Sequence, residues 1–321
     1  MSMKLCFLLL ILTAHAYAAA TSQQEEEEAA AAAHKHIFIL AGQSNMAGRG
    51  GVLDNNATDE LTWNEFVPKE CQPNPSILRF SANLAWVEAR EPLHADIDVK
   101  KVNGIGPGMP FAHELLAKEP KYGVIGLVPC AIGGTTIDEW AKGTPLYNQM
   151  VRRARTSLVG GGRIRGLLWM QGESDTNTLP DAEAYKPKLE KFFNDVRFDM
   201  MSPMLPIVQV AIASAEGPYI DVIRKAQLGL YLPNVVTVDP KIFAVIQPDK
   251  LHLTPQSQVK LGTMMADAYM KLVANSTSKL SKSTAPPTLS NFAFQLAVIP
   301  LLSFSLLMIL TTNSFTSPSV Q

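Results

Sequence analysis

A serine, an aspartate and a histidine have the types and the spacing that nucleophilic catalysis requires. Ser44 follows an apolar run, residues 36–41, that stops at Gly42, which is typical of a buried strand ending in a tight turn. Far along the chain, Asp249 and His252 lie three residues apart in a loop bounded by prolines. This spacing lets Asp249 accept the Nδ1 proton of His252, and it leaves Nε2 free to accept a proton from Ser44. The sequence therefore predicts a nucleophile, an orienting acid and a base in the order Ser, Asp, His.

Two further clusters of glycine and polar residues also follow apolar runs. Gly133-Gly134 comes after the run at 123–131, and Gln171-Gly172-Glu173 comes after the run at 164–170. Ligands of open α/β sheets bind beyond the carboxyl ends of the strands, so these clusters predict one shared crevice. Any one cluster alone is better explained as a turn, and most serines that follow a glycine in this way only cap a helix.

Four blocks of the sequence together resemble the SGNH hydrolases, and within them the plant carbohydrate esterases of family 6 and the sialate O-acetylesterase-like proteins. The matching residues are Gly42-Gln43-Ser44-Asn45-Met46, Gly133-Gly134-Thr135, Trp169-Met170-Gln171-Gly172-Glu173-Ser174-Asp175 and Asp249-Lys250-Leu251-His252. The resemblance extends over residues 34–273, nearly the whole predicted globular part. It implies a serine esterase with the triad Ser44, Asp249 and His252 that removes acetyl groups from carbohydrate.

The resemblance also implies three hydrogen-bond donors for the oxyanion of the tetrahedral intermediate. They are the backbone N–H groups of Ser44 and Gly134 and the side-chain amide of Gln171. Most SGNH hydrolases use an asparagine as the side-chain donor. Gln171 departs from that pattern and resembles the carbohydrate-esterase branch.

Three more polar residues are expected to support the site. Gln43 and Asn45 flank the predicted nucleophile and should fix its turn through hydrogen bonds from side chain to backbone. Glu173 has two interpretations. It either orients Gln171 or a turn, or it acts with Asp249 as a pair of carboxylates that cleaves glycosidic bonds.

Apolar runs alternate with helical patterns along most of the chain. The runs cover residues 36–41, 123–131, 164–170, 206–213 and 235–239, and the helical patterns cover residues 110–118, 145–158, 181–200, 219–231 and 255–273. This alternation predicts an α/β fold, a three-layer α/β/α sandwich around a parallel sheet of about five strands. The segment 48–110 has no clear periodicity and is expected to fold over the sheet edge and shape the substrate cleft.

The overall composition argues against several classes of function. The chain has 28 Lys and Arg residues against 29 Asp and Glu residues, so no basic surplus indicates a nucleic-acid partner. No two His or Cys residues have ligand spacing with further ligands nearby, and Gly160-Gly161-Gly162 lacks the lysine of a phosphate loop. We therefore expect neither a metal nor another cofactor.

The amino-terminal residues predict entry into the secretory pathway. Residues 1–20 combine an early lysine, an apolar run and a small-residue end, which is the pattern of a signal peptide. An acidic and alanine-rich lead-in follows at 21–33, and the esterase domain is predicted over 34–275. The expected location is extracellular, in the cell wall or on the outer surface of the plasma membrane.

That location has consequences for four side chains. Cys71 and Cys130 are the cysteines outside the predicted signal peptide, and in an oxidising compartment such a pair permits one disulfide. A free buried cysteine is the alternative for each. Asn56 and Asn275 begin Asn-x-Ser/Thr triplets and are candidate glycosylation sites.

The carboxyl-terminal residues predict a linker and an attachment segment. Residues 276–292 are rich in Ser, Thr, Lys and Pro, residues 293–310 form an uncharged apolar stretch, and residues 311–321 are a polar tail. Three interpretations fit: the signal for a glycolipid anchor, a single membrane span, or a hydrophobic extension on a secreted enzyme. The pattern favours membrane attachment without selecting its type.

Three hypotheses for function follow. The first is a serine esterase that removes O-acetyl groups from carbohydrate, with plant cell-wall polysaccharide as the substrate that the resemblance implies. The second is a catalytically silent protein on the same fold that binds glycan or associates with the cell wall. The third is a glycoside hydrolase that uses Glu173 and Asp249 and does not need Ser44.

Overall fold

A seven-stranded sheet forms the centre of the protein in this computed structural model, which describes residues 35–55, 60–246 and 249–283. Its strands are β1 His36–Gly42, β4 Ile77–Phe80, β5 Trp86–Glu88, β6 Ile125–Pro129, β7 Arg163–Met170, β8 Ile207–Val210 and β9 Val235–Val238. Two further strands, β2 Val52–Asn55 and β3 Glu60–Trp63, form a separate hairpin. The sheet order is β5-β4-β6-β1-β7-β8-β9. All neighbouring strands are parallel except β4 and β5.

Helices cover both faces of this sheet. They are α1 Ser44–Ala47, α2 Gly108–Lys118, α3 Pro145–Thr156, α4 Leu179–Asp199, α5 Ile220–Leu228 and α6 Pro255–Ser283. Apolar side chains of α2 and α6 belong to the core cluster on one face, and those of α3, α4 and α5 belong to the cluster on the other face. The predicted α/β fold with three layers is therefore confirmed.

The central strand β1 supplies side chains to both core clusters. Ile37 and Ile39 point to one face, whereas Phe38 and Leu40 point to the other, and all four are fully buried. Parallel neighbours, β6 and β7, pair with both edges of β1. A strand covered on both faces and at both edges needs apolar residues at every position, which explains the unbroken apolar run in the sequence.

The prediction of about five strands was too low. The segment 48–110, predicted to lack periodicity, contributes β4 and β5 to the sheet and also forms the hairpin of β2 and β3. These strands are three or four residues long. Alternation over so few residues is too short to distinguish a strand from a loop.

The predicted boundary between the esterase domain and its linker also differs from the structure. Helix α6 continues from Pro255 to Ser283 and so extends past residue 275 into the segment predicted as a linker. The predicted segments 1–20, 21–33, 293–310 and 311–321 lie outside the described residues, as does Asn56. Among the helices that the structure does describe, none combines the length and the apolarity that crossing a bilayer requires.

The two cysteines do not form the disulfide that the sequence permits. Cys71 and Cys130 are both buried and free. They belong to the core clusters on opposite faces of the sheet, so the sheet itself separates their sulfur atoms. Each thiol packs as a small apolar side chain, and burial raises the pKa of the Cys130 thiol to about 11.

Gly42 ends β1 where the carboxyl end of β7 lies against it. Its φ is 128°, and a Cβ atom at this position would lie 1.9 Å from the backbone oxygen of Met170. That same oxygen accepts a hydrogen bond from the backbone N–H of Gln43 at 2.9 Å. The turn that presents Ser44 therefore requires glycine for both its backbone conformation and its space.

We expect Gly42→Ala to lower the free energy of unfolding by more than about 2 kcal/mol, because the variant combines backbone strain with a clash against backbone atoms. Urea denaturation measures this change. Gly123→Ala is the matched control, since Gly123 also has a positive φ of 61° but its Cβ would meet no atom within 4 Å. Equal losses in the two variants would contradict the proposed clash with Met170.

Candidate active site

The predicted site residues converge at the carboxyl edge of the sheet. Ser44 follows β1, Gly133 and Gly134 follow β6, and Gln171 follows β7. Asp249 and His252 lie in the loop between β9 and α6. Because parallel strands end at the same edge, residues from four separate parts of the chain meet at this edge.

Ser44, His252 and Asp249 form a continuous chain of hydrogen bonds. The Nε2 atom of His252 lies 2.9 Å from Ser44 Oγ, and its Nδ1 atom lies 2.8 Å from Asp249 Oδ2. Ser44 is 5% exposed, whereas 21% of the His252 side chain and 40% of the Asp249 side chain are exposed. The hydroxyl is thus mostly shielded, while the carboxylate end of the chain faces solvent.

The second oxygen of Asp249 fixes the loop that carries the histidine. Asp249 Oδ1 accepts hydrogen bonds from the backbone N–H of Leu251 at 2.9 Å and from that of His252 at 3.2 Å. Lys250 between them has a φ of 54°, which turns the chain sharply. The aspartate therefore holds both the backbone and the ring of His252.

The surroundings of His252 favour its neutral form. Burial lowers the pKa of His252, the hydrogen bond and charge of Asp249 oppose this decrease, and the positive charge of Arg49 adds to it. A neutral imidazole with its proton on Nδ1, held by Asp249, has a free lone pair on Nε2. Such a ring can accept a proton from Ser44.

Asn45 connects the end of β1 to the histidine loop. Its Oδ1 atom accepts a hydrogen bond from the backbone N–H of Leu253 at 2.9 Å, and its Nδ2 atom donates to the backbone oxygen of Leu251 at 3.3 Å. The same Nδ2 atom donates to Glu173 Oε1 at 2.8 Å. One buried amide therefore contacts the residues on both sides of His252.

Gln43 connects β1 to the turn after β7. Its fully buried Oε1 atom lies 3.3 Å from each of three donors, which are the backbone N–H groups of Gly172 and Ser174 and the side-chain amide of Gln171. The sequence predicts that Gln43 and Asn45 bond within the turn around Ser44, whereas the bonds of their side chains go to the turn after β7 and to the histidine loop. The two side chains therefore connect the end of β1 to distant parts of the chain.

Gln171 does not occupy the place of an oxyanion donor. Its Nε2 atom donates to Asp175 Oδ2 at 2.5 Å and to the backbone oxygen of Thr135 at 2.8 Å. The side chain is fully buried and does not line the cavity. Asp175 lies four residues after Gln171 in a short helical turn, and its carboxylate attracts the amide away from Ser44.

The two backbone donors remain available at the cavity. Ser44 and Gly134 both line it, and a Cβ added to Gly134 would meet no atom within 4 Å. The φ of Gly134 is 73°, a conformation that glycine adopts at little cost. The neighbouring N–H of Gly133 donates instead to Asp98 Oδ2 at 3.1 Å.

A buried ion pair beneath the site was missed by sequence reasoning. Arg49 and Asp98 are 5% and 3% exposed and form a direct salt bridge. Arg49 also donates to Asn103 Oδ1 at 2.8 Å, and Asp98 accepts the Gly133 N–H. Arg49, Asp98 and Asn103 all lie in the segment 48–110, where no periodicity or motif indicates their roles.

Ser44, Asp249 and His252 line a cavity of about 640 Å³. Volumes of roughly 300–1,000 Å³ are typical of sites for small molecules. One wall comes from the hairpin of β2 and β3, where Leu53 and Leu61 are half exposed and line the cavity, and Glu216 lines it as well. Glu173 does not line it, being fully buried, and burial raises the pKa of this carboxyl to about 7.

Comparison with known protein families places this geometry in context. A family model described as carbohydrate esterase, sialic acid-specific acetylesterase matches residues 34–271. A protein of Arabidopsis thaliana that carries the name probable carbohydrate esterase is 53% identical over 235 residues, which are 73% of this chain and 90% of that protein. The matched range of the family model contains Ser44, Asp249 and His252.

Solved structures give the same fold. The X-ray structure of an Arabidopsis thaliana protein is 51% identical with a TM-score of 0.72, and the match covers 74% of this chain and 98% of that chain. The crystal structure of NanS is 17% identical with a TM-score of 0.58, covering 77% of this chain and 98% of that chain. At such low identity, the likeness to NanS shows the fold alone.

Proposed function

This chain belongs to the carbohydrate esterase, sialic acid-specific acetylesterase family, and on that premise we propose that it hydrolyses O-acetyl esters of carbohydrate through an acyl-enzyme on Ser44. Membership of this family makes the protein an ester-bond hydrolase. The observation that carries the proposed mechanism is the unbroken hydrogen-bond chain from Ser44 Oγ through the His252 ring to Asp249.

In the first half of the reaction, the acetyl group moves to the serine. Ser44 Oγ attacks the ester carbonyl carbon while His252 Nε2 takes the hydroxyl proton. The carbonyl oxygen becomes an oxyanion that the backbone N–H groups of Ser44 and Gly134 stabilise. When this intermediate collapses, the bond to the sugar oxygen breaks, that oxygen takes the proton from His252, and acetyl-Ser44 remains.

Water completes the reaction by the same route in reverse. His252 takes a proton from a water molecule whose oxygen attacks the acetyl carbonyl carbon. The Ser44 ester bond then breaks, the serine oxygen recovers the proton from His252, and acetate leaves. Asp249 keeps the Nδ1 proton in place and stabilises the imidazolium that forms in each half.

The two rival functions fit the contacts less well. A silent binding protein has no need for a serine, a histidine and an aspartate within hydrogen-bond distance of one another. A glycoside hydrolase needs two carboxylates that face the substrate, yet Glu173 is fully buried and does not line the cavity. Both oxygens of Asp249 already accept hydrogen bonds from the histidine loop.

We expect kcat/KM for a neutral acetyl ester to fall as the pH falls, because protonated His252 cannot accept the Ser44 proton. The pKa of His252 is lowered, so the apparent pKa of this acid limb should lie below about 6.5, the ordinary value for histidine. A profile of kcat/KM against pH measures this limb, since it reports the groups of the free enzyme.

A control separates the contribution of His252 from that of Glu173, a buried carboxyl near the site. Burial raises the pKa of Glu173 to about 7, and Glu173→Gln removes this carboxyl. The acid limb should persist in Glu173→Gln. A limb that disappears in this variant would assign the pH dependence to Glu173 and contradict the role of His252.

Acetate release tests the substrate of the proposed reaction. We propose that the physiological substrate is acetylated polysaccharide of the plant cell wall, which is supported by the similarity to a plant carbohydrate esterase. Purified protein should release acetate from at least one of acetylated xylan, pectin and mannan, and its Ser44→Ala variant should not. Activity on O-acetylated sialic acid alone would contradict the cell-wall assignment and retain the esterase mechanism.

The place of action is a separate part of the proposal. We propose that the protein is secreted and then attached to the outer surface of the plasma membrane. The apolar composition near both termini supports this proposal. Protein from plant cells should begin near residue 21 and should appear in the membrane fraction. An intact Met1 on protein from the cytosol would contradict this route.

A further inference from the structure

Glu173 is a buried carboxyl beside the site that the proposed chemistry does not use. Its Oε1 atom accepts the hydrogen bond from Asn45 Nδ2 at 2.8 Å, whereas no atom of the described residues pairs with its Oε2 atom. Burying a carboxyl with an unpaired oxygen is costly. The side chain is fully buried, so it cannot serve as a direct contact for substrate.

The bond to Glu173 determines which way the Asn45 amide points. In the observed orientation Nδ2 faces two acceptors, Glu173 Oε1 and the Leu251 oxygen, and Oδ1 faces the donor N–H of Leu253. A rotation of the amide by half a turn would oppose oxygen to both acceptors and would leave the N–H of Leu253 facing a donor. The contact with Glu173 is the shorter of the two that Nδ2 makes.

The orientation of Asn45 matters because its two loop contacts flank the histidine. Leu251 precedes His252 and Leu253 follows it, so the amide fixes the backbone on both sides of the ring. Other bonds also hold this loop, including the one from Ser214 Oγ to the Leu251 oxygen and the one from Ile246 N–H to the His252 oxygen at 2.6 Å. The loop therefore stays folded without Asn45, and what Asn45 adds is the exact placement of the ring.

We propose that Glu173 is a positioning residue that acts through Asn45 to keep His252 Nε2 at hydrogen-bond distance from Ser44 Oγ. The inference rests on the proposed function, since it needs His252 as the base. It assigns a role to the glutamate that follows β7, namely to orient the amide next to the nucleophile.

The variant Glu173→Ala removes the shorter acceptor of the Asn45 amide. We expect kcat for a small acetyl ester to fall by about 10- to 100-fold per active site, because small displacements of a catalytic group have effects of this size. The KM should change little, since Glu173 does not line the cavity. Glu173→Gln retains a carbonyl oxygen for Asn45 Nδ2 and should recover most of the lost kcat.

A double-mutant cycle distinguishes action through Asn45 from a general structural role. If Glu173 works through Asn45, the variant that combines Asn45→Ala and Glu173→Ala should lose no more kcat than Asn45→Ala alone. Additive losses would overturn the proposal, because they would mean that Glu173 acts by another route. Unchanged kcat in Glu173→Ala would overturn it as well.

Glu91 provides a matched control for the cost of altering a buried carboxyl. Glu91 is partly buried, its Oε1 atom is buried without a hydrogen-bond partner among the described residues, and its Oε2 atom accepts the Leu93 N–H at 2.9 Å. Glu91→Gln should change thermal stability and leave kcat per active site unchanged. Counting active sites by burst titration with an activated acetyl ester removes any loss that is due to unfolded protein.

The outcome for Ser44→Ala separates this inference from the function on which it rests. If Ser44→Ala keeps wild-type activity, the proposed function fails, and the double-mutant cycle of Asn45 and Glu173 then says nothing about His252 as a base. If Ser44→Ala is inactive while Glu173→Ala and Glu173→Gln behave as wild type, the esterase mechanism stands and the role of Glu173 is wrong. A loss in Glu173→Ala with recovery in Glu173→Gln supports both.

Discussion

Ser44→Ala is expected to lower the turnover of a small acetyl ester by about 10³-fold or more. Without the hydroxyl, no acetyl-enzyme can form, and only the backbone donors and the cavity remain to assist attack by water. The fold should survive, because the bond of Ser44 Oγ at 2.9 Å goes to the His252 side chain, so its loss leaves the backbone bonds of the turn in place. Alanine also adopts the same short helix. Steady-state kinetics with purified variant and wild type measure the loss.

A serine remote from the crevice controls for removal of a buried hydroxyl. Ser157 is fully buried at the end of α3, and its Oγ donates to the Ala154 oxygen at 2.7 Å. Ser157→Ala should retain wild-type kcat, although its stability can differ. Turnover by Ser44→Ala within a few-fold of wild type would contradict nucleophilic catalysis and would revive a mechanism that does not need this serine.

The second large effect is expected for Asp249→Asn, which should lower kcat by on the order of 10³- to 10⁴-fold. The asparagine oxygen can still accept the N–H of Leu251, so the loop is retained. Its amide would donate to His252 Nδ1, which places the ring proton on Nε2 instead. That tautomer cannot accept the Ser44 proton, so the geometry remains while the base is lost.

Asp267 is a suitable control for this variant because its side chain is 37% exposed, close to the 40% of Asp249. It forms a salt bridge with Lys118 on the surface, and Asp267→Asn should leave kcat unchanged. Comparable activity in Asp249→Asn and Asp267→Asn would mean that the carboxylate does not orient His252. The His252 Nδ1 contact at 2.8 Å would then have no catalytic consequence.

The hydrogen-bonded arrangement of Ser44, His252 and Asp249 could be predicted because local spacing carries most of the information. Asp249 and His252 are close in sequence, so their mutual geometry depends on one loop. Ser44 follows a turn at Gly42, which the end of the apolar run indicates. Spacing alone is insufficient, however. Glu91 and His94 have the same separation, yet His94 is fully buried, and burial lowers its pKa to about 3.

Contacts between distant segments could not be predicted in the same way. Whether the Gln171 amide turns toward Ser44 or toward Asp175 depends on side-chain rotamers, and Ser44 comes near Gln171 only in the folded chain. The salt bridge of Arg49 with Asp98 joins two positions of an aperiodic segment. The hydrogen bond that the Leu253 N–H donates to Asn45 Oδ1 joins residues 208 positions apart. Charge and polarity identify such residues as candidates, but only the folded chain selects their partners.

The short strands of the sheet were missed for a related reason. β4 has four residues and β5 has three. They form strands because β4 pairs with the edge of β6, and β5 then pairs with β4. Tertiary context decides such elements, since isolated short strands have little preference of their own. The strand β1 was predicted from its long apolar run, because burial on both faces requires an apolar residue at every position.

Covalent labelling tests most directly whether His252 activates Ser44 as the nucleophile. An alkyl fluorophosphonate should inactivate the wild-type protein with one label per chain, and peptide mass spectrometry should locate the label on Ser44. The variant His252→Ala should react far more slowly, although its serine is intact. A label on another residue, or equal labelling rates with and without the imidazole, would contradict catalysis by this triad.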